Sequence, residues 1–154
     1  MDNPSQQLAA EDPFDLNRFV KAQAGVYEQA LAELKRGEKR SHWMWFIFPQ
    51  IEGLGRTSTA QFYAIKSAAE AKAYLKHPEL GPRLTECCNA LLQLQGLSAS
   101  EIFGCPDDLK LRSSMTPFAS VSEPDSVFTG VLGRYYEATP DHRTLELLKQ
   151  KSRD

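Results

Sequence analysis

Three cysteines are too few, and too awkwardly placed, for a disulfide framework. Cys87 and Cys88 are neighbours and Cys105 stands alone, so no C-x-x-C metal or redox motif exists. Long apolar runs are missing as well. The longest is six residues, Trp43 to Phe48, whereas a membrane-spanning helix needs about 20. Met1 to Glu11 has no basic n-region and no apolar h-region, and we expect no signal peptide. Basic charge is not in excess: the formal net charge is -2, and the 18 Lys and Arg are spread along the chain. The densest basic group is Lys35, Arg36, Lys39 and Arg40. Neither nucleic acid nor a membrane is an expected partner. The cytoplasm, where thiols stay reduced, is the expected compartment. Strand signals are nearly absent too, which leaves helices to build the fold.

The helix signals are strong. Asp12-Pro13 reads as an N-cap with Pro at the first helical position. Leu16, Phe19 and Val20, then Tyr27, Ala30, Leu31 and Leu34, follow helical spacing, with Gly25 as a weak point and Gly37 as a C-cap. Ser41 predicts the cap of a short helix through the aromatic run, which Pro49 stops; a buried strand is the competing reading. Ser67/Glu70 and Ser98/Glu101 read as capping boxes. Leu80, Leu84, Cys87, Leu91 and Leu94 mark the clearest apolar stripe. A further helix begins at Pro106-Asp107-Asp108 and is interrupted by Pro117. Val127 to Tyr135 and Asp141 to Leu148 complete the set. We therefore expect an all-α fold, a single compact globule of about seven or eight short helices. Residues 12–148 form its one domain, with flexible tails at 1–11 and 149–154.

Chemistry concentrates in two segments. Lys39, Arg40 and His42 precede the aromatic run, and Gln50, Arg56 and Thr57 follow it. Rings beside a few positioned polar groups are what small-ligand pockets are made of, although most of these rings should simply be core. Gly53 and Gly55 before Ser58 match no phosphate-loop pattern, and a plain turn capped by Ser58 is the reading. In the second segment Lys110, Ser113 and Ser114 lie three or four apart, hence on one helical face. Hydroxyls, a base and an upstream carboxylate suit a phosphate or a sugar. His42, His77 and His142 share no ligand spacing, and no metal site or cofactor is expected. Cys87 falls on an apolar face, and Cys105 is read as inert.

Three stretches carry a resemblance: SHWMWFIFPQIEGLG, YAIKSAAEAKAYLKHPELGPRL and EIFGCPDDLKLRSSMTPFA. Across Asp12 to Leu148 the chain resembles a family of uncharacterised bacterial proteins sometimes labelled calpastatin-like. The resemblance implies a small, mainly α-helical protein and brings no reaction with it. The family's signature polar positions fall here on His42, Gln50, Tyr63, Lys110, Ser113, Ser114 and Thr116.

We expect segments 41–57 and 107–116 to meet and form one pocket. Trp43, Trp45 and Tyr63 would line it, with His42, Gln50, Lys110, Ser113, Ser114 and Thr116 as polar contacts. The expected occupant is a small anionic or nucleotide-like molecule. A hydrolase of a nucleotide-like glycosidic or ester bond is the alternative, with His42, Asp107 and Glu70 as catalytic candidates. A protein-interaction module without a small ligand is the third reading.

Overall fold

The structure, a computed structural model, describes residues 12–152. Its first five helices are α1 (Asn17–Gln23), α2 (Tyr27–Arg36), α3 (Met44–Ile47), α4 (Ser58–Phe62) and α5 (Ala68–Lys76). The next five are α6 (Leu80–Gln93), α7 (Ala99–Phe103), α8 (Asp107–Ser120), α9 (Val127–Tyr136) and α10 (His142–Ser152). Ten helices among the described residues exceed the expected seven or eight, for two local reasons. Gly25, at φ 76°, splits the first stretch into α1 and α2. The turn expected after Gly55 coils into α4, and its cap is Thr57 rather than Ser58, accepting the Ala60 N–H at 3.1 Å.

α8 is the hub. It packs against α5, α7, α9 and α10, while α6 packs against α2, α5 and α9, and α1 lies on α3. α6 buries the expected Leu80, Leu84, Cys87 and Leu91 together with Cys88 and Ala90. Aromatic rings chain the layers together: Phe19 meets Tyr74 at 5.1 Å, Tyr74 meets Phe118 at 5.3 Å, and Phe118 meets Phe128 at 5.7 Å. A lone parallel bridge, Ile51 to Ile65, ties the loop after α3 to the loop after α4.

Several start and stop signals act differently from their sequence reading. Asp12 is not the N-cap of α1 and Pro13 lies outside it: the helix begins at Asn17 with Leu16 at the cap position, and the Asp12 carboxylate accepts the N–H groups of Leu16 and Asn17 from the preceding turn. Ser41 does not cap α3; its hydroxyl goes to Glu33. Ser98/Glu101 is a complete capping box. Ser67 caps α5, but Glu70 accepts from the Lys66 N–H instead of closing the box. α8 runs straight through Pro117. A mid-helix proline costs about 3 kcal/mol or more, but Leu111, Met115 and Phe118 are fully buried on this helix. Each such side chain contributes roughly 1.5–3 kcal/mol, so packing outweighs the lost hydrogen bond. The Thr116 and Ser120 hydroxyls satisfy the Arg112 and Pro117 carbonyls nearby, both at 2.8 Å.

The expected tails fall partly outside the described residues: 1–11 and 153–154 do so entirely. α10, however, continues through Ser152, and Lys151 pairs with Glu52 at 3.2 Å. Among the described residues no helix is long and apolar enough to cross a membrane.

Candidate functional site

The site begins at Gly37, whose left-handed conformation (φ 79°) ends α2 and turns the chain back on itself. The returning loop wraps around Glu33, a carboxylate only 1% exposed. Glu33 accepts from the backbone N–H of Arg40 (2.7 Å) and Ser41 (3.0 Å), the Ser41 hydroxyl (2.5 Å) and the Trp43 indole N–H (3.0 Å). Burial by itself would raise the Glu33 pKa. The donors from Ser41, Arg40 and Trp43 together overcome it and hold the carboxyl down at about 2.

That template fixes Lys39. Its ammonium donates to the Ser41 carbonyl at 2.7 Å, lies 5.1 Å from the Trp43 ring centroid, and pairs with Asp107 at 2.9 Å. Asp107 stands in the first turn of α8, where a carboxylate suits the helix dipole. One turn on, Lys110 reaches the other Asp107 oxygen at 3.5 Å and sits 5.6 Å from the Trp45 ring centroid. Segments 41–57 and 107–116 therefore approach each other at Lys110 and Trp45, and Lys39, just ahead of the first segment, adds its pair with Asp107. Charges alternate across the junction, and the outermost member is the half-buried Lys110.

The other expected residues are dispersed by burial. Trp43 has no exposed surface and belongs to the core, tilted against Phe48 and edge-on to Phe103. Ser113 and Thr116 are buried and donate to carbonyls of their own helix. Ser114 is completely buried, and its hydroxyl has no hydrogen-bond partner among the described residues. Gln50 is half-buried, with its carbonyl in the bridge to Ile65. His42 is exposed on the loop. Glu70 is sealed in the interior, bonded to Arg18 at 2.7 Å and to the Lys66 N–H at 3.0 Å, which leaves Asp107 and His42 as the accessible members of the catalytic trio. Burial pushes the Cys87 thiol up to about 12, and Cys87 lies on the apolar face of α6 as expected.

Two concavities open elsewhere. One of about 390 Å³ lies between α1 and the end of α4, lined by Asp15, Asn17, Arg18, Lys21, Phe62 and Tyr63. The other, about 340 Å³, lies between α10 and the start of α5, lined by Ala68, Ser120, His142, Leu145, Leu148 and Lys149. Of the expected pocket residues, these two contain only Tyr63. Among the described residues, no group of three or more His, Cys, Asp and Glu side chains is placed to hold a metal ion.

Sequence reading missed the two polar residues that organise this half of the molecule. Glu33 is three residues after Ala30 and next to Leu34, so a carboxylate beside an apolar stripe was the available signal. Arg18 had no such signal, because the partners that tie it to other elements, Phe62, Ala64 and Glu70, lie 44 to 52 residues away.

Among curated proteins, none matches the chain. The crystal structure of the conserved hypothetical protein Rv1873 from Mycobacterium tuberculosis is similar. It is 54% identical, with a TM-score of 0.88, over 90% of this chain and 99% of that one. Residues 13–148 match the family described as "Protein of unknown function (DUF1810)", and the chain belongs to that family.

Proposed function

We propose that the protein binds a small phosphorylated, nucleotide-like molecule at the junction of the 38–45 loop and the start of α8. One observation carries this reading. Two ammonium groups, Lys39 and Lys110, converge on the single carboxylate of Asp107 beside the half-buried Trp45 ring. The trio is left with one positive charge in excess, at a ring able to stack. Lys110 supplies the charge and Trp45 the stacking face, with exposed His42 next along the loop. Lys39 and Asp107 hold Lys110 in place. Three free thiols, two of them buried, accord with a cytosolic protein.

A thermal-shift series with nucleotides, dinucleotides and sugar phosphates tests this. Phosphorylated compounds should raise the melting temperature, since native-state binding stabilises by RT ln(1 + [L]/Kd). Lys110→Ala should remove the part of that rise by which each phosphorylated compound exceeds its unphosphorylated parent, while leaving the unliganded melting temperature nearly unchanged. A flat response to every phosphorylated compound, or an equal rise in Lys110→Ala, would refute the site.

A further inference from the structure

The concavity between α1 and α4 is chemically unlike the junction. We propose that it is a separate binding site for a planar, uncharged heteroaromatic ring of nucleobase or nucleoside size. Phe62 forms one wall. It is 56% exposed, one of two large apolar side chains left so open among the described residues. Tyr63 meets it edge-on at 4.8 Å and 83°, which steadies the ring and leaves a face for stacking.

Charge selects the ligand. Arg18 sits in the floor, but its guanidinium is fully committed. Nε bonds the Phe62 carbonyl, Nη1 the carbonyls of Phe14 and Asp15, and Nη2 the Ala64 carbonyl and Glu70. No N–H is left for an anion. The remaining charges, Asp15 and Lys21, are of opposite sign. A phosphate gains nothing net here, and a neutral ring loses nothing.

Hydrogen bonding narrows the class further. Among the described residues, the side chains of Asp15, Asn17, Lys21 and Tyr63 have no hydrogen-bond or ion-pair partner, yet all four line this space. Together they offer donors and acceptors, which suits a ring carrying both on its edge. A volume of about 390 Å³ is at the small end of ligand sites. The walls are rigid: Arg18 fastens α1 to the 62–64 segment, and Tyr63 packs on Phe19 at 5.9 Å and on Phe46 at 5.5 Å.

The test is titration of the whole chain with adenosine, guanosine, cytidine and uridine, followed calorimetrically. At least one nucleoside should bind saturably, and Phe62→Ala should weaken it about tenfold. Asn17→Ala should weaken it less, and Lys110→Ala not at all. Phe62 and Asn17 are surface residues, so both variants should keep the parental melting temperature. Absence of saturable binding for all four nucleosides, or unchanged affinity in Phe62→Ala, would overturn the assignment. Loss of binding in Lys110→Ala would overturn it too, by moving the nucleoside to the junction.

Discussion

Glu33 and Glu70 are both carboxylates in the interior, and the chain accommodates them in opposite ways. Glu70 is completed by a cation: Arg18 at 2.7 Å, itself bound to four backbone carbonyls. Glu33 has no cation in bonding range among the described residues and is completed by dipoles, namely two backbone N–H groups, a hydroxyl, an indole and the Gln29 amide. The ion pair staples elements 52 residues apart. The dipole cage shapes a loop seven to ten residues away. A buried pair protects long-range assembly but leaves a stranded charge when broken. A dipole cage strands no opposite charge, so its loss should be felt mainly in the loop that carries Lys39 and Trp43.

Four substitutions sharpen or break this contrast. The largest effect should come from Arg18→Met, which strands Glu70 and four carbonyls. We expect a loss of about 3–5 kcal/mol in urea unfolding, partly recovered in Arg18→Met/Glu70→Leu. A loss below about 1 kcal/mol would mean that the pair is not a staple. Glu33→Gln should cost about 3 kcal/mol at neutral pH, with a distinctive acid dependence. The carboxyl titrates from 4.5 unfolded and about 2 folded, so across that window the unfolded state binds more protons. The stabilisation is fully present above 4.5 and disappears as pH falls towards 2. The stability gap between parent and variant should close over the same range, and a gap constant with pH would contradict the cage. Trp43→Phe keeps a ring in the core but removes one donor to a charged acceptor, for about 2 kcal/mol. Lys110→Ala should be the mildest, within about 1 kcal/mol, because its pair with Asp107 is partly solvated; a larger cost would make the junction structural.

The helices were legible where local chemistry decides. The Leu80, Leu84, Cys87 and Leu91 stripe and the Ser98/Glu101 box depend on neighbours within a few turns, and both are present in the structure. Reading failed where a distant partner decides. Pro117 suggested a break, but burial of Leu111, Met115 and Phe118 by other helices carries α8 through it. Ser41 looked like a cap, but Glu33 on the preceding helix claims its hydroxyl. The same limit applies to the candidate site. The composition of segments 41–57 and 107–116 suggested an approach, which Lys110 and Trp45 make, but neither described concavity is the single pocket expected between them. Which faces they turn to each other was not legible. Within one aromatic run, Trp43, Met44, Ile47 and Phe48 turn inward while Trp45 and Phe46 remain half-open, a division that no periodicity over six residues can assign.

That division has a spectroscopic consequence. The chain has two tryptophans, two positions apart yet in different media. Trp43 is dry, with its indole N–H held by a carboxylate, and its emission should be short in wavelength and insensitive to aqueous quenchers. Trp45 is partly wet and lies under an ammonium group, so its emission should be redder and open to quenching by whatever lands on Lys110. With Trp45→Phe the remaining signal reports the interior, and with Trp43→Phe it reports the surface around Lys110. The protein thus contains a matched pair of optical probes, one for its interior and one for its surface.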